Sequence, residues 1–307
     1  MIQTQPASSR LATVVTLGRL GFAGPRETDS ARLLSQPKRV ALLVYVLLSQ
    51  RGGSMSRDQI IGTFWPESDT TRARNALRQS LSFLRNCLGD EAVVSIGSHG
   101  VAVAESVECD AVQFESLLDT HRKEEALGLY SGELLPGFHS GGSIAFTEWL
   151  ERRRQHLGQR AAKAAWDLSA ECEARGDLPN AAFWGKRALA LSPFSESEVL
   201  RLLRLLERTR DFAGALRAFH GLQHALAAEF GSQPSVETAR LAEGIKRQLE
   251  AEGLHLPALL GTRRSGTDRR EAERRHGQAR WSGVERRGAT DRRAAERRSG
   301  TDRREIR

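Results

Sequence analysis

Cysteine is scarce in this chain and poorly placed for either of its structural uses. Cys87, Cys109 and Cys172 are odd in number and far apart. They offer no zinc-ligand spacing and no disulfide framework, which fits a reducing compartment. Long apolar runs are missing too. The longest, Val40 to Leu48, falls well short of the roughly 20 residues a membrane-spanning helix needs. Met1 to Arg10 is polar and no cleavage pattern follows it, so no secretory leader is read. Catalytic constellations are absent as well. The eight histidines are scattered, no nucleophile motif occurs, and G-x-x-x-x-G-K-[ST] is nowhere in the chain. These absences predict a soluble cytoplasmic protein that has no membrane partner, is not an enzyme, and needs no cofactor or metal.

Charge is present in quantity, and its distribution says more than its net value of +8. Residues 1–104 hold 12 basic and 7 acidic side chains, residues 105–260 hold 18 and 23, and residues 261–307 hold 16 arginines, no lysine and 8 acids. A basic front, an acidic middle and a basic tail suggest a polyanion partner for the ends and a protein partner for the middle.

The most informative stretch is 71–88. At about 100° per residue it divides into two arcs. Ala73, Ala76, Leu77, Ser80, Leu81, Phe83, Leu84, Cys87 and Leu88 share one. Arg72, Arg74, Asn75, Arg78, Gln79, Ser82, Arg85 and Asn86 share the other, which contains no acid. Solvated helix faces usually mix Glu with Lys and Arg. Arg, Asn and Gln are the side chains that make bidentate bonds to guanine and adenine edges. The candidate DNA-binding residues are therefore Thr71, Arg74, Asn75, Arg78, Gln79, Ser82 and Arg85.

The surroundings agree with this reading. Leu11–Leu17 is β-rich and reads as an edge strand, followed by turns at Gly18, Gly21 and Gly24-Pro25. Pro37 opens a helix over Lys38–Gln50. Ser56 heads a short helix to Trp65, with Gln59 at the capping-box position, and Pro66-Glu-Ser-Asp69 is a tight loop. After Gly89, Val93–Ile96 and Val101–Val103 read as a hairpin around Gly97-Ser-His-Gly100. This is the order of a winged helix-turn-helix, in which the third helix enters the major groove and the hairpin is the wing. His99, at the hairpin tip, joins the candidate DNA contacts, although a lone turn histidine is more often simply exposed.

From Cys109 to about Glu252 every segment reads as helix. Gly176-Asp-Leu-Pro-Asn-Ala-Ala182 echoes Arg210-Asp-Phe-Ala-Gly-Ala-Leu216, with Asp177 and Asp211, and Ala181 and Ala215, each 34 residues apart. That is the tetratricopeptide period, and such scaffolds bind proteins or self-associate. The predicted fold is mainly α. An α+β winged helix-turn-helix occupies 11–104 after a flexible 1–10. An all-α tetratricopeptide-like domain follows over 105–255, and then a disordered Arg-rich tail over 256–307. A helical-repeat adaptor whose winged domain binds protein is the rival reading. An adaptor has no reason to keep one face of 71–88 free of acids.

Several stretches in combination resemble the SARP-type regulators, which join an OmpR-like winged helix to a bacterial transcriptional activator domain. In the front these are Lys38-Arg-Val-Ala-Leu-Leu43, Ser56-Arg-Asp-Gln-Ile-Ile61, Phe64-Trp-Pro-Glu-Ser-Asp69 and Ala76-Leu-Arg-Gln-Ser-Leu-Ser-Phe-Leu-Arg85. Further on they are Asp110-Ala-Val-Gln-Phe-Glu115, Tyr130-Ser-Gly-Glu-Leu-Leu-Pro-Gly-Phe138, Trp149-Leu-Glu-Arg-Arg-Arg-Gln-His-Leu157, Ala188-Leu-Ala-Leu-Ser-Pro193 and Leu226-Ala-Ala-Glu-Phe-Gly-Ser-Gln-Pro-Ser235. The resemblance covers roughly residues 11–250. It implies a sequence-specific regulator of transcription, usually an activator, that binds direct repeats in double-stranded DNA, pairs as a homodimer there and engages RNA polymerase. On it, Trp65, Pro66, Glu67, Ser68 and Asp69 form the polymerase-facing loop. The wing departs from the family pattern, since Gly97-Ser-His-Gly-Val-Ala-Val103 lacks the usual Gly-Gly-Tyr. The receiver and nucleotide-binding modules of larger relatives are also missing.

The tail repeats acid-Arg-Arg units, among them Gly266-Thr-Asp-Arg-Arg270, Glu285-Arg-Arg287 and Gly300-Thr-Asp-Arg-Arg304. Such composition cannot bury enough apolar surface to fold alone. Its excess of +8 equals the whole chain's net charge, because residues 1–260 sum to zero. As a polyanion-binding arm it would contribute about 0.9 per phosphate contacted to the slope of log affinity against log salt. Full-length protein is therefore expected to bind random duplex with a steeper salt slope than residues 1–260. Identical curves would leave the tail as a solvated segment whose acids neutralise its arginines.

Overall fold

The computed structural model describes residues 12–24, 27–50, 53–138, 143–191 and 195–253. The expected flexible 1–10 and the Arg-rich tail 256–307 lie outside the described residues. Residues 12–252 belong to one compact unit. The front contains β1 (Ala12–Val15), β2 (Gly21–Ala23), α1 (Glu27–Leu34), α2 (Pro37–Ser49), β3 (Met55–Ser56), α3 (Arg57–Phe64), α4 (Thr70–Leu88), β4 (Val93–Ile96), β5 (Gly100–Val103) and β6 (Val107–Cys109). Helices follow: α5 (Asp110–Asp119), α6 (Lys123–Leu129), α7 (Ile144–Ala174), α8 (Leu178–Leu191), α9 (Glu196–Arg208), α10 (Phe212–Phe230) and α11 (Val236–Ala251). A winged helix-turn-helix followed by helical repeats is the fold the sequence predicts.

The central helix of the front is α2. Pro37 stands in its first turn, where a missing N–H costs nothing. All nine residues from Val40 to Leu48 are buried, because α1, α4, α5 and β5 pack around it. A helix enclosed on every side needs no polar stripe.

Two three-stranded sheets complete the front, in the orders β2-β1-β6 and β3-β5-β4. The expectation that the first strand lies at an edge is overturned. β1 is central, antiparallel to β2 and parallel to β6, with Val14 opposite Phe22 on one side and Cys109 on the other. Its two partners are three residues each, too short to show alternation. The expected capping box at Ser56 is not made either. Ser56 is extended and makes no side-chain cap bond, because it pairs with Gly100 in the sheet.

One carboxylate ties the first strand to the helical part. Asp110 accepts from the Thr16 backbone N–H (2.8 Å), the Thr16 hydroxyl (2.6 Å) and the Leu17 N–H (2.9 Å). Beside it, the Leu135 N–H donates to the Thr16 carbonyl, the Gly18 N–H to the Glu133 carbonyl and the Ser131 hydroxyl to the Leu17 carbonyl. Gly18 has a φ of 75°, and a Cβ there would stand 2.6 Å from Ser131 Oγ, so this crossing requires glycine. Burial, and then the neighbouring Asp110 charge, push the Cys109 thiol up to about 11. Among the described residues Cys87, Cys109 and Cys172 are all buried and free.

A second tie is aromatic. Tyr45 of α2 lies 5.5 Å from Phe64 of α3 and 4.9 Å from Trp149 of α7, and Phe146 of α7 lies 5.3 Å from Phe64. These separations suit favourable edge and tilted ring pairs. The Ser143 hydroxyl at the head of α7 donates to the Thr63 carbonyl near the end of α3.

The 34-residue echo is a repeated turn. Before α8, Gly176 is left-handed (φ 77°) and the Asp177 N–H donates to the Cys172 carbonyl. Before α10, Arg210 is left-handed (φ 59°) and the Asp211 N–H donates to the Leu206 carbonyl. Both aspartates then receive bonds at the head of the next helix, from Asn180 and from Gly214. Ala181 and Ala215 are fully buried, as close helix pairing demands.

The Asp110 bonds predict a measurable loss. Hydrogen bonds to a charged acceptor contribute roughly 1.5–3 kcal/mol each, and leaving buried donors unmet adds to the cost. Asp110→Ala is expected to lower unfolding free energy in urea by about 3 kcal/mol. An unchanged midpoint would contradict this role for the carboxylate.

Candidate nucleic-acid interface

α4 begins where Asp69, extended at φ −60°, accepts from the Thr71 and Arg72 N–H groups at 3.0 and 2.9 Å. This is a side-chain N-cap. The helix stops at Gly89, whose φ of 109° suits glycine. Ala73, Leu77, Leu81, Leu84 and Leu88 are buried, together with Ser80 and Cys87. The Ser80 hydroxyl is satisfied by the Ala76 carbonyl at 2.8 Å. Thr71, Arg72, Arg74, Asn75, Arg78, Gln79, Ser82 and Asn86 are exposed. Arg78 Nη2 donates to Asn75 Oδ1 at 2.8 Å, so these two neighbours on the helix surface orient each other.

Arg85 behaves differently from the rest of its arc. It is half-buried, with Nε donating to the Val93 carbonyl at 2.7 Å and Nη2 reaching Ser95 Oγ at 3.4 Å. It pins the wing, β4–β5, to α4. Arg57, which the sequence did not single out, reaches the same serine from α3 at 2.8 Å. The Arg57 N–H also donates to the His99 carbonyl at 2.8 Å, which fixes the exposed wing tip. Arg57 Nε is buried without a partner among the described residues. The result is a cleft of about 330 Å³ lined by Arg57, Asp58, Arg74, Arg78 and His99, with Leu77 and Ile61 behind. It brings Arg74, Arg78 and His99 together and leaves Thr71, Gln79 and Ser82 outside.

In the loop between α3 and α4, Pro66, Glu67 and Ser68 are exposed. Trp65 is half-buried with Lys38 Nζ 4.8 Å above its ring, and burial lowers the Lys38 pKa. Asp69 is engaged as the cap and also meets Arg72 at 3.2 Å.

Carboxylate pairing is denser in the helical part than in the front, although Arg152, Arg175, Arg187, Arg201, Arg217, Arg240, Lys246 and Arg247 have no carboxylate within 4.0 Å among the described residues. In the helical part, Lys123 pairs with Glu171, Lys163 with Asp167, Lys186 with Asp211 and Arg204 with Glu237, at 2.5 to 3.0 Å. Arg122, Arg153, Arg160, Arg208 and Arg210 likewise each meet a carboxylate. In the front, Arg32, Lys38, Arg39, Arg57, Arg74, Arg78 and Arg85 have no carboxylate within 4.0 Å among the described residues, and Arg72 alone of the α4 cations has one. Apart from Arg153–Glu115, which is largely buried, these are surface pairs that contribute little stability, but they neutralise their own surface. The front keeps its positive field. Among the described residues no group of His, Cys, Asp and Glu could hold a metal ion.

Comparisons with known proteins agree with this architecture. Residues 109–246 match the bacterial transcriptional activator domain. Over 269 residues the chain is 23% identical to the transcriptional regulatory protein MoaR1 of Mycobacterium tuberculosis, covering 80% of this chain and 85% of that protein. It is 27% identical over 247 residues to the regulatory protein AfsR of Streptomyces griseus, covering 75% of this chain and 24% of AfsR. The solved structure of Mycobacterium tuberculosis EmbR in complex with a low affinity phosphopeptide shares the fold. Its TM-score is 0.52 at 18% identity, over 86% of this chain and 71% of that one.

Proposed function

We propose that this chain, a SARP-type transcriptional regulator in which a winged helix precedes a bacterial transcriptional activator domain, binds double-stranded DNA sequence-specifically through α4. The observation that carries the reading is the exposed, acid-free arc of α4 beside cations that no described carboxylate neutralises. Arg78, Asn75 and Gln79 read base edges in the major groove, since their forks match guanine and adenine. Arg74, Ser82 and Thr71 border them. Arg57 and His99 face phosphate on the wing side. Arg85 contributes by holding the wing at a fixed angle to α4.

The regulator activates transcription, pairing as a homodimer on direct repeats and presenting the loop after α3 to RNA polymerase. In that loop Pro66, Glu67 and Ser68 make the contact, while Trp65 and Asp69 shape it. No described helix is long and apolar enough to cross a membrane, and action on the chromosome implies a cytoplasmic protein. The adaptor reading accounts less well for cations left without acids.

Loss of one good bidentate base contact costs about 1–3 kcal/mol. Arg78→Ala is therefore expected to weaken binding to a duplex selected from a random pool by about tenfold or more. The melting temperature should stay the same, because Arg78 is exposed. Unchanged affinity in a mobility-shift titration would remove Arg78 from the base-reading set. Failure of the wild-type chain to select any duplex would remove the DNA-binding reading itself.

A further inference from the structure

Arg78, Arg74 and Arg85 lie toward the wing side of α4, but the opposite flank has a charge arrangement of its own. Phe83 is half-buried between the exposed arc and the apolar stripe. On the helix surface it neighbours exposed Gln79 and Asn86, four residues before it and three after. Arg39 of α2 stands with its guanidinium carbon 4.0 Å from the Phe83 ring centroid, and Arg32 of α1 with its carbon 5.0 Å away. Two guanidiniums thus share one ring. A cation over an aromatic face is held by the ring quadrupole, and that orients both groups without neutralising either. Neither has a carboxylate within 4.0 Å among the described residues. Asp29, on α1 with Arg32, is buried. Burial pushes the Cys87 thiol up; the Arg32 and Arg39 charges oppose that rise, and the Asp29 charge adds to it. Two like charges gathered at a solvent boundary repel each other unless an anion lies between them.

We propose that Arg32 and Arg39, oriented by Phe83, form a seat for backbone phosphate of double-stranded DNA on the α1–α2 side of α4. The inference rests on the reading that α4 enters the major groove. A groove about 12 Å wide has a sugar–phosphate strand on each side, and a helix with its side chains is about 10–12 Å across. A helix seated there has one strand beside each flank. The cleft of Arg57 and His99 serves the wing side, and the Phe83 pair serves the other. Phosphate contacts fix register and orientation and carry no sequence information directly. The pair therefore acts on every sequence alike, unlike Arg78.

The test uses the full chain, a duplex selected from a random pool, and a random duplex of equal length, each titrated at several salt concentrations. Arg32→Ala with Arg39→Ala is expected to weaken both duplexes by the same factor. It should reduce the salt slope by about 0.9 if one phosphate is held and about 1.8 if two are. Phe83→Leu keeps an apolar side chain but removes the ring. It should give part of the same loss on both duplexes, with the melting temperature confirming the fold. Arg39→Lys, which keeps the charge, should restore most of the slope lost in Arg39→Ala. An unchanged slope in the double variant, with selected-site binding intact, overturns the proposal. So does a loss confined to the selected duplex, which would make the pair a base reader. If the wild-type chain bound neither duplex, the fault would lie with the DNA-binding reading.

Discussion

Burial of Ala73, Leu77, Leu81, Leu84 and Leu88 along α4 decides which way the helix faces, and everything proposed for the front of the molecule depends on that angle. The stripe is held from several directions. α1 and α2 pack on it, α3 crosses its start, and the wing reaches its far end through Arg85. Each large-to-small change in such a stripe costs about 2–5 kcal/mol, so the helix has little freedom to roll. With the stripe fixed, Arg74, Asn75, Arg78, Gln79 and Ser82 can only point to solvent. The field they create persists because the acids of this chain are concentrated beyond residue 104, where they meet cations of their own.

The two parts of the folded unit are joined by polar and aromatic contacts of different character. The Asp110 carboxylate gathers three donors from Thr16 and Leu17, and a single residue thereby places β1 against the start of the helical part. The Tyr45, Phe64, Phe146 and Trp149 cluster fastens α7 to α2 and to the end of α3. The loop that leads into α4 begins immediately after Phe64. A change in the helical part that moved the head of α7 would therefore be felt through Phe146 and Ser143 at the base of that loop. Rigid packed elements of this kind can carry coupling between distant surfaces.

Features with a local period were legible in the sequence. The wheel of α4 and the 34-residue echo each follow from a regular period, and each appears at the expected place; the cap that Asp69 makes was read only as part of a tight loop. Features made by distant partners were not. β2 and β6 are three residues long and acquire meaning only beside β1. α1 was not read because its polar start offers little period and Leu33 is its buried anchor. At the interface, Arg57 looked like an ordinary early-helix residue until Ser95 and His99 were brought beside it. Phe83 looked like core, which it is in part. Its second role depends on Arg32 and Arg39 arriving from other helices. Arg85 lay on the predicted arc but turns to the wing, because the Val93 carbonyl is closer than solvent-side partners.

The central claim is that α4 reads the major groove. Dimethyl sulfate tests it in one experiment, since it methylates guanine N7 in the major groove and adenine N3 in the minor groove. A duplex selected by the full chain, partially methylated and then separated into bound and free fractions, reports which positions matter. The account predicts that methylation at guanine N7 excludes the duplex from the bound fraction at a few positions in each half-site, with adenine N3 methylation having little effect there. A bound fraction indifferent to guanine N7 and depleted only in adenine N3 methylation would contradict it.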